Sequence, residues 1–199
     1  MGRPRGEYAK SAERRLEILD ATMAVFAESG FHGGTIRDIA ERVGMSQAGL
    51  LHHFSSKQAL LEAVLAHRDE TALKLLGPQT PSGADMLYAF LQLSDFNERM
   101  PGLVGLFAVL SGESTAPDHP GHAYFLRRYA NIRSLIERAI VEGQQDGDVR
   151  SDVQPGPAAR SLIALWDGLQ IQWLYEDGSF DMAGPLKAYI DDLMVVPRV

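Results

Sequence analysis

The sequence predicts an all-α protein of about nine helices, with an N-terminal three-helix helix-turn-helix head ahead of a larger helical body. Three observations predict it. Apolar residues recur at i, i+3, i+4 and i+7 along most of the 199 residues, and no run alternates as a half-buried strand requires. Glycine and proline punctuate these stretches, at Pro101-Gly102, Ala116-Pro117, Pro155-Gly156-Pro157 and Gly184-Pro185. Residues 35–54, TIRDIAERVGMSQAGLLHHF, place two short helices either side of a tight glycine turn.

Ser11 caps a first helix over 11–29, with Leu16, Leu19, Met23 and Phe26 as its apolar stripe and Gly30 as its stop. Thr35 caps a second helix, and Asp38 stands at the reciprocal capping-box position. Gly44 supplies a left-handed stop and Ser46 caps a third helix that ends near Phe54. Ser55 or Ser56 opens a fourth, from about Lys57 to Leu76, which the stretch from Gly77 to Gly83 cannot continue. Further helices are expected over roughly 84–99, 102–113, 121–145, 156–176 and 182–195. The division expected is a helix-turn-helix domain at 1–56, a connecting helix at 57–76 and a body at 77–199.

Composition narrows the function. The 45% apolar content suffices for a sizeable core in one or two domains. Cysteine is absent, which excludes disulfides, thiolate metal sites and a cysteine nucleophile, and suits a cytoplasmic protein. The start, MGRPRGEYAK, is no secretory signal, and no apolar run approaches the roughly 20 residues of a membrane span. The net charge of −7 is unevenly distributed. Residues 1–57 carry eight basic and seven acidic side chains, and the remainder eleven and nineteen. An acidic body repels phosphates and helps present only the N-terminal end to a duplex, or it is ordinary solubilising charge.

In the helix pair, Ala40 allows close approach, and Ile39, Val43, Met45 and Leu50 form a small core. Gln47, Ala48, Leu51 and His52 are left pointing outward, as a recognition helix needs. Gln47 can present its amide to a base edge, adenine above all. Thr35 and Ser46 sit at helix N-termini, which favour phosphate oxygens, and Lys57 can neutralise another phosphate. Arg37 is a further basic candidate at the same end. Adjacent His52 and His53 point about 100° apart, so they do not ligate one metal together. One reading has His53 packing within the head, and the other has either histidine reading bases. Gly2-Arg3-Pro4-Arg5 is either a minor-groove arm carrying Arg3 and Arg5 or a solubilising tail.

The run TIRDIAERVGMSQAGLLHHFSSKQALL resembles the N-terminal signature of the TetR family of bacterial regulators. The shared elements are Thr35, Asp38-Ile39-Ala40, Gly44, Ser46, Leu50, His53-Phe54, and Lys57 followed by Leu60 and Leu61. The resemblance implies a three-helix head, a long fourth helix into the body, and a homodimer on a near-palindromic DNA operator. It also implies repression relieved by a small-molecule effector. Leu51 departs from the family's usual aromatic, which leaves open which bases are read.

Residues 158–176 are apolar nearly all round, so that helix must bury one face in its own core and another against something else. Leu162, Leu165, Leu169 and Trp173, with Tyr189 and Leu193 of the last helix, are the candidates for a four-helix dimer interface, the arrangement that the resemblance implies. Phe90, Met100, Leu103, Leu106, Phe107, Phe125, Tyr129 and Trp166 either pack a solid core or line a pocket in which Gln92, Asn131 or Gln170 orients a guest. The resemblance favours a pocket, and that lining suits a hydrophobic or aromatic molecule. No motif demands a cofactor. Asp118, His119 and His122 invite a metal reading, but their proline- and glycine-containing segment reads as a connecting loop. A second reading keeps DNA binding but makes the protein an activator, or a ligand-independent regulator whose body only dimerises. A third, a metal-dependent hydrolase built on His119, His122 and Asp118, has no nucleophile–base pair or phosphate-binding loop behind it.

Overall fold

The computed structural model describes residues 5–75 and 81–197. Among the described residues the chain forms nine α-helices and no strand, apart from one antiparallel bridge between Val149 and Met194. The helices are α1 (Arg5–Gly33), α2 (Ile36–Arg42), α3 (Gln47–His53), α4 (Lys57–Leu75), α5 (Gly83–Glu98), α6 (Pro101–Glu113), α7 (His122–Asp146), α8 (Pro155–Tyr175) and α9 (Ala183–Leu193). Arg5, expected in a free basic arm, is instead the first helical residue; Gly2, Arg3 and Pro4 lie outside the described residues. Gly30 does interrupt α1, with φ 68° and ψ 179°, a conformation that a β-carbon forbids.

Packing divides the chain into two units: Met1–Asp69 with Gly105–His122, and Glu70–Val104 with Ala123–Val199. These units do not follow the expected segments 1–56, 57–76 and 77–199. Most of α4 and the later part of α6 pack with the N-terminal helices, because Leu60, Leu61, Val64 and Leu65 of α4 and Leu106, Phe107 and Leu110 of α6 are all buried.

In the first unit α1 buries Ile18, Leu19, Val25 and Phe26. Leu16, expected on that stripe, is 48% exposed, and Met23 is only half-buried. The true stripe runs through Ile18, Thr22 and Val25, and Thr22 can be buried because its hydroxyl donates to the Ile18 carbonyl at 2.7 Å. Ile39, Ala40, Leu50 and Phe54 complete the core under the short helices.

The second unit packs α5, α7, α8 and α9 around Leu87, Phe90, Ile136, Ile140, Leu162, Trp166, Leu186 and Ile190. Tyr88 Oη donates to Asp191 at 2.7 Å, and the Met182 N–H donates to Glu98 at 2.7 Å, tying α5 to both ends of α9. This packing corrects part of the expected dimer interface. Leu162, Leu169, Trp173 and Leu193 all lie in the chain's own core, none more than 7% exposed. Of the remaining candidates, Leu165 and Tyr189 are half-buried, and Tyr189 Oη donates to the Ala158 carbonyl at 3.1 Å. The face that α8 leaves uncovered carries Ser161, Ala164, Ile171 and Tyr175, the last two 45% and 86% exposed.

Candidate nucleic-acid interface

The α2–α3 pair is set by local chemistry. Thr35 closes both arms of a capping box: its Oγ1 accepts from Asp38 N at 3.2 Å, and Asp38 Oδ2 accepts from Thr35 N at 3.0 Å and from the Thr35 hydroxyl at 2.6 Å. These donors hold the Asp38 carboxyl below its usual 3.8, the side-chain bond from Thr35 first among them. Gly44 then takes φ 64°, which turns the chain sharply enough for Met45 N to donate back to the Ala40 carbonyl at 2.9 Å. Ser46 Oγ caps α3 by accepting from Gly49 N at 3.1 Å.

Leu50 is the one residue of α3 that is buried, and it is fully so. Gln47, Ala48, Leu51 and His52 are exposed; at i, i+1, i+4 and i+5 they share the opposite side of the helix. Thr35, Arg37 and Ser46 are exposed nearby in sequence, with Arg37 Nε 3.9 Å from Asp38 and 3.8 Å from Glu41. His53 is half-buried, and its carbonyl accepts from Arg15 Nη1 at 3.5 Å.

Lys57 is less free than expected. Its Nζ lies 4.5 Å from the centre of the Phe31 ring and donates to the His32 carbonyl at 3.3 Å. Burial lowers its pKa from the usual 10.5, against a smaller upward pull from Glu113. Two supports escaped the sequence reading: Arg15, whose guanidinium lies 4.1 Å from the Phe54 ring centre, and the Arg42–Glu28 ion pair at 2.8 Å. Both join residues remote in sequence, and Arg15 and Glu28 lie outside the helix-turn-helix run 35–54.

The expected effector residues do not form one set. Phe107 belongs to the first unit, with the Arg68 guanidinium 4.6 Å from its ring centre. Met100 is 38% exposed in the turn before Pro101, where its carbonyl accepts from Leu103 N and Val104 N to start α6. Phe90, Leu103, Phe125, Trp166 and Gln170 are buried in the second unit. The Phe90 and Trp166 rings meet edge to face at 5.0 Å. Tyr129, half-buried, donates from Oη to Asp167 at 2.8 Å. Trp166 Nε1 and Ser94 Oγ are buried without a hydrogen-bond partner among the described residues.

In the His-Pro loop Asp118 is exposed, whereas His119 Nδ1 accepts from Gly121 N at 3.0 Å and His122 Nδ1 lies 2.8 Å from the Ser114 carbonyl. Both rings brace the loop. Among the described residues no three histidine or carboxylate side chains converge as metal ligands, and no helix is long and apolar enough to cross a membrane.

A capped helix, a glycine turn and a second helix seated by a single leucine define a helix-turn-helix regulator. Comparison with known proteins agrees. Residues 18–64 match the model of bacterial regulatory proteins of the tetR family, and residues 114–194 match the C-terminal model of BetI-type transcriptional repressors. The chain is 25% identical over 185 residues to the HTH-type transcriptional regulator UidR of Escherichia coli K12, covering 90% of this chain and 92% of that one. It is similar to the crystal structure of a TetR-family regulator from Rhodococcus sp. (28% identity, TM-score 0.72, 92% and 99% covered). It is also similar to a regulator from Saccharomonospora viridis in complex with choline (26% identity, TM-score 0.75, 92% and 98% covered). The chain belongs to the TetR family and is a DNA-binding transcriptional regulator.

Proposed function

We propose that the protein is a cytoplasmic, homodimeric repressor that a small effector releases from a near-palindromic operator. The observation that carries the DNA-reading part is the two-sidedness of α3: Leu50 anchors it, and Gln47, Ala48, Leu51 and His52 stand clear. Gln47 reads a base edge, Leu51 takes the place of a polar aromatic with an apolar contact suited to a thymine methyl, and Arg37 approaches phosphate. Arg3, outside the described residues, is proposed as a minor-groove contact.

Pairing supplies the second half-site contact, since two recognition helices must lie about 34–36 Å apart. The support for pairing is the uncovered α8 face of Ala164, Ile171 and Tyr175, together with the half-buried Leu165 and Tyr189. A helix apolar on two sides calls for a second partner once its own core is satisfied.

The effector site is proposed in the second unit, around Phe90, Leu103, Phe125, Tyr129, Trp166 and Gln170. The unpartnered Trp166 Nε1–H supports it, because buried donors are otherwise satisfied. The lining favours a largely apolar or aromatic molecule bearing an acceptor for that N–H. One observation favours a quaternary ammonium compound instead: the Phe125 and Tyr129 rings lie 6.4 Å apart, and Tyr129 Oη donates to the Asp167 carboxylate. Aromatic rings and a carboxylate suit such a cation, and the Saccharomonospora relative holds choline. Binding in either case shifts the population toward head positions that no longer fit DNA, and a hundredfold loss of operator affinity needs about 2.7 kcal/mol of differential binding.

The test is a thermal-shift panel of aromatic, aliphatic and quaternary ammonium compounds, followed by fluorescence anisotropy on a labelled duplex selected by the protein. Hits that stabilise the protein and release the duplex support the reading. Hits that leave DNA affinity untouched would remove the sensor and favour a body that only dimerises.

A further inference from the structure

Although α6 begins in the second unit, its end and the loop after it pack in the first, with the helices of the head. A polar cluster at the break in α1 joins them. Gly34 N donates to the Gly30 carbonyl at 3.2 Å, so Gly30 acts as the cap of a last helical turn in which Phe31 is the first residue. The Phe31 N–H therefore has no acceptor within that turn. It donates instead to Glu113 Oε2 at 2.7 Å, across a separation of 82 residues. The carboxylate presses against Gly30 so closely that a β-carbon there would collide with it.

His119 completes the cluster from the loop. Because Gly121 N donates to Nδ1, that nitrogen carries the lone pair, and in the neutral ring the proton sits on Nε2. Nε2 is buried, lacks a hydrogen-bond partner among the described residues and lies 3.7 Å from Glu113 Oε2. The rings of Phe31 and His32 meet His119 edge to face at 5.2 and 5.3 Å. The Lys57 ammonium holds the Phe31 ring and the His32 carbonyl. The end of α1 is thus gripped just before Thr35, the cap on which α2 is built.

We infer that Glu113 is a positioning residue: its carboxylate latches the end of α6 to the end of α1 and so fixes where the helix-turn-helix begins. A carboxylate accepting a buried backbone N–H is a strong bond, and it sits where no other helical acceptor is available to replace it. Any displacement of α6 that withdraws Glu113 leaves the Phe31 N–H without its acceptor and loosens the segment leading into α2. The functional consequence rests on the DNA-binding reading; the structural coupling does not.

The test compares full-length wild type, Glu113→Gln and Glu113→Ala by amide hydrogen exchange and by anisotropy on a duplex selected from a random pool by the wild type. Glu113→Ala is expected to speed exchange in both 30–34 and 113–122 while protection of α3 persists, and to weaken duplex binding on the order of tenfold. Glu113→Gln, which keeps an acceptor for the Phe31 N–H, is expected to restore most of both. Unchanged exchange at 30–34 in Glu113→Ala overturns the latch whatever the DNA result, as does loss of binding that Gln does not rescue. Failure of the wild type itself to select a duplex would instead strike the DNA-binding reading, leaving exchange to decide the latch.

Discussion

Leu50 and Leu51 are the same residue at adjacent positions, and the structure gives them opposite fates. Leu50 is fully buried and is the one buried residue of α3, whereas Leu51 is 41% exposed. Leu50→Ala removes about three buried carbons beneath a seven-residue helix that has no second anchor. At about 0.8 kcal/mol per buried methylene, with a cavity cost added, the loss is about 3 kcal/mol, or roughly a hundredfold in the folded fraction of the head. Leu51→Ala should stay within about 0.5 kcal/mol of wild type, because it empties no packed site. The order reverses for DNA read per folded molecule: Leu51→Ala should lose on the order of tenfold if its side chain is buried against the duplex. Urea unfolding by circular dichroism at fixed protein concentration gives the first comparison, and anisotropy at fixed salt gives the second. Equal destabilisation by the two variants, or a Leu51 variant that unfolds the head, would refute the assignment of the two faces of α3.

Other outcomes follow from the same geometry. Thr35→Ala removes the Oγ1 acceptor of Asp38 N and the hydroxyl bond to the Asp38 carboxylate, leaving the bond from its own backbone N–H. It should cost about 1 kcal/mol, with the Asp38 carboxyl rising part of the way back toward 3.8 in an NMR titration; an unmoved Asp38 would mean the box does not hold in solution. Burial lowers the His119 pKa below 6.5, Glu113 opposes this, and His32 adds to it. The stability gained from keeping that ring neutral is therefore present above pH 6.5 and is lost as pH falls through the depressed folded value. His119→Asn, whose carbonyl oxygen can take over as acceptor for Gly121 N, should flatten that acid limb; an unchanged slope would assign the titration elsewhere. Ile171→Glu on the uncovered face of α8 should leave each chain folded but convert dimers to monomers in sedimentation, and a variant that stays dimeric would place the interface on another face.

What was legible in the sequence was local. Thr35 with Asp38, Gly44 and Ser46 are each complete within a few residues, so their caps and turn could be read directly, and the matched run of the family did the rest. The two-sided apolarity of α8 was legible too, but which side turned inward was not. Phe90 on α5 and the cluster around Ile136 and Ile140 on α7 decide that, drawing in Leu162, Leu169 and Trp173 and leaving Ile171 and Tyr175 uncovered. Leu16 shows the same limit at smaller scale, because a one-step rotation of the stripe toward Ile18 and Thr22 satisfies the same periodicity. Glu113 was invisible for a different reason: its partner is a backbone N–H, which carries no residue type, at a break 82 residues earlier. The polar atoms of the second unit, Trp166 Nε1 and Ser94 Oγ, likewise show only once burial and hydrogen bonding can be counted.

The measurement that bears most directly on the whole account is parallel selection of duplexes from a random pool by wild type and Gln47→Ala, with sequencing of the bound fraction. The expected result is a near-palindrome with half-sites about one helical turn, roughly 10 base pairs, apart, and a Gln47 variant that loses preference at one symmetric pair of positions while the rest persists. Enrichment of no sequence, or identical motifs for both proteins, would contradict the claim that the exposed face of α3 reads DNA.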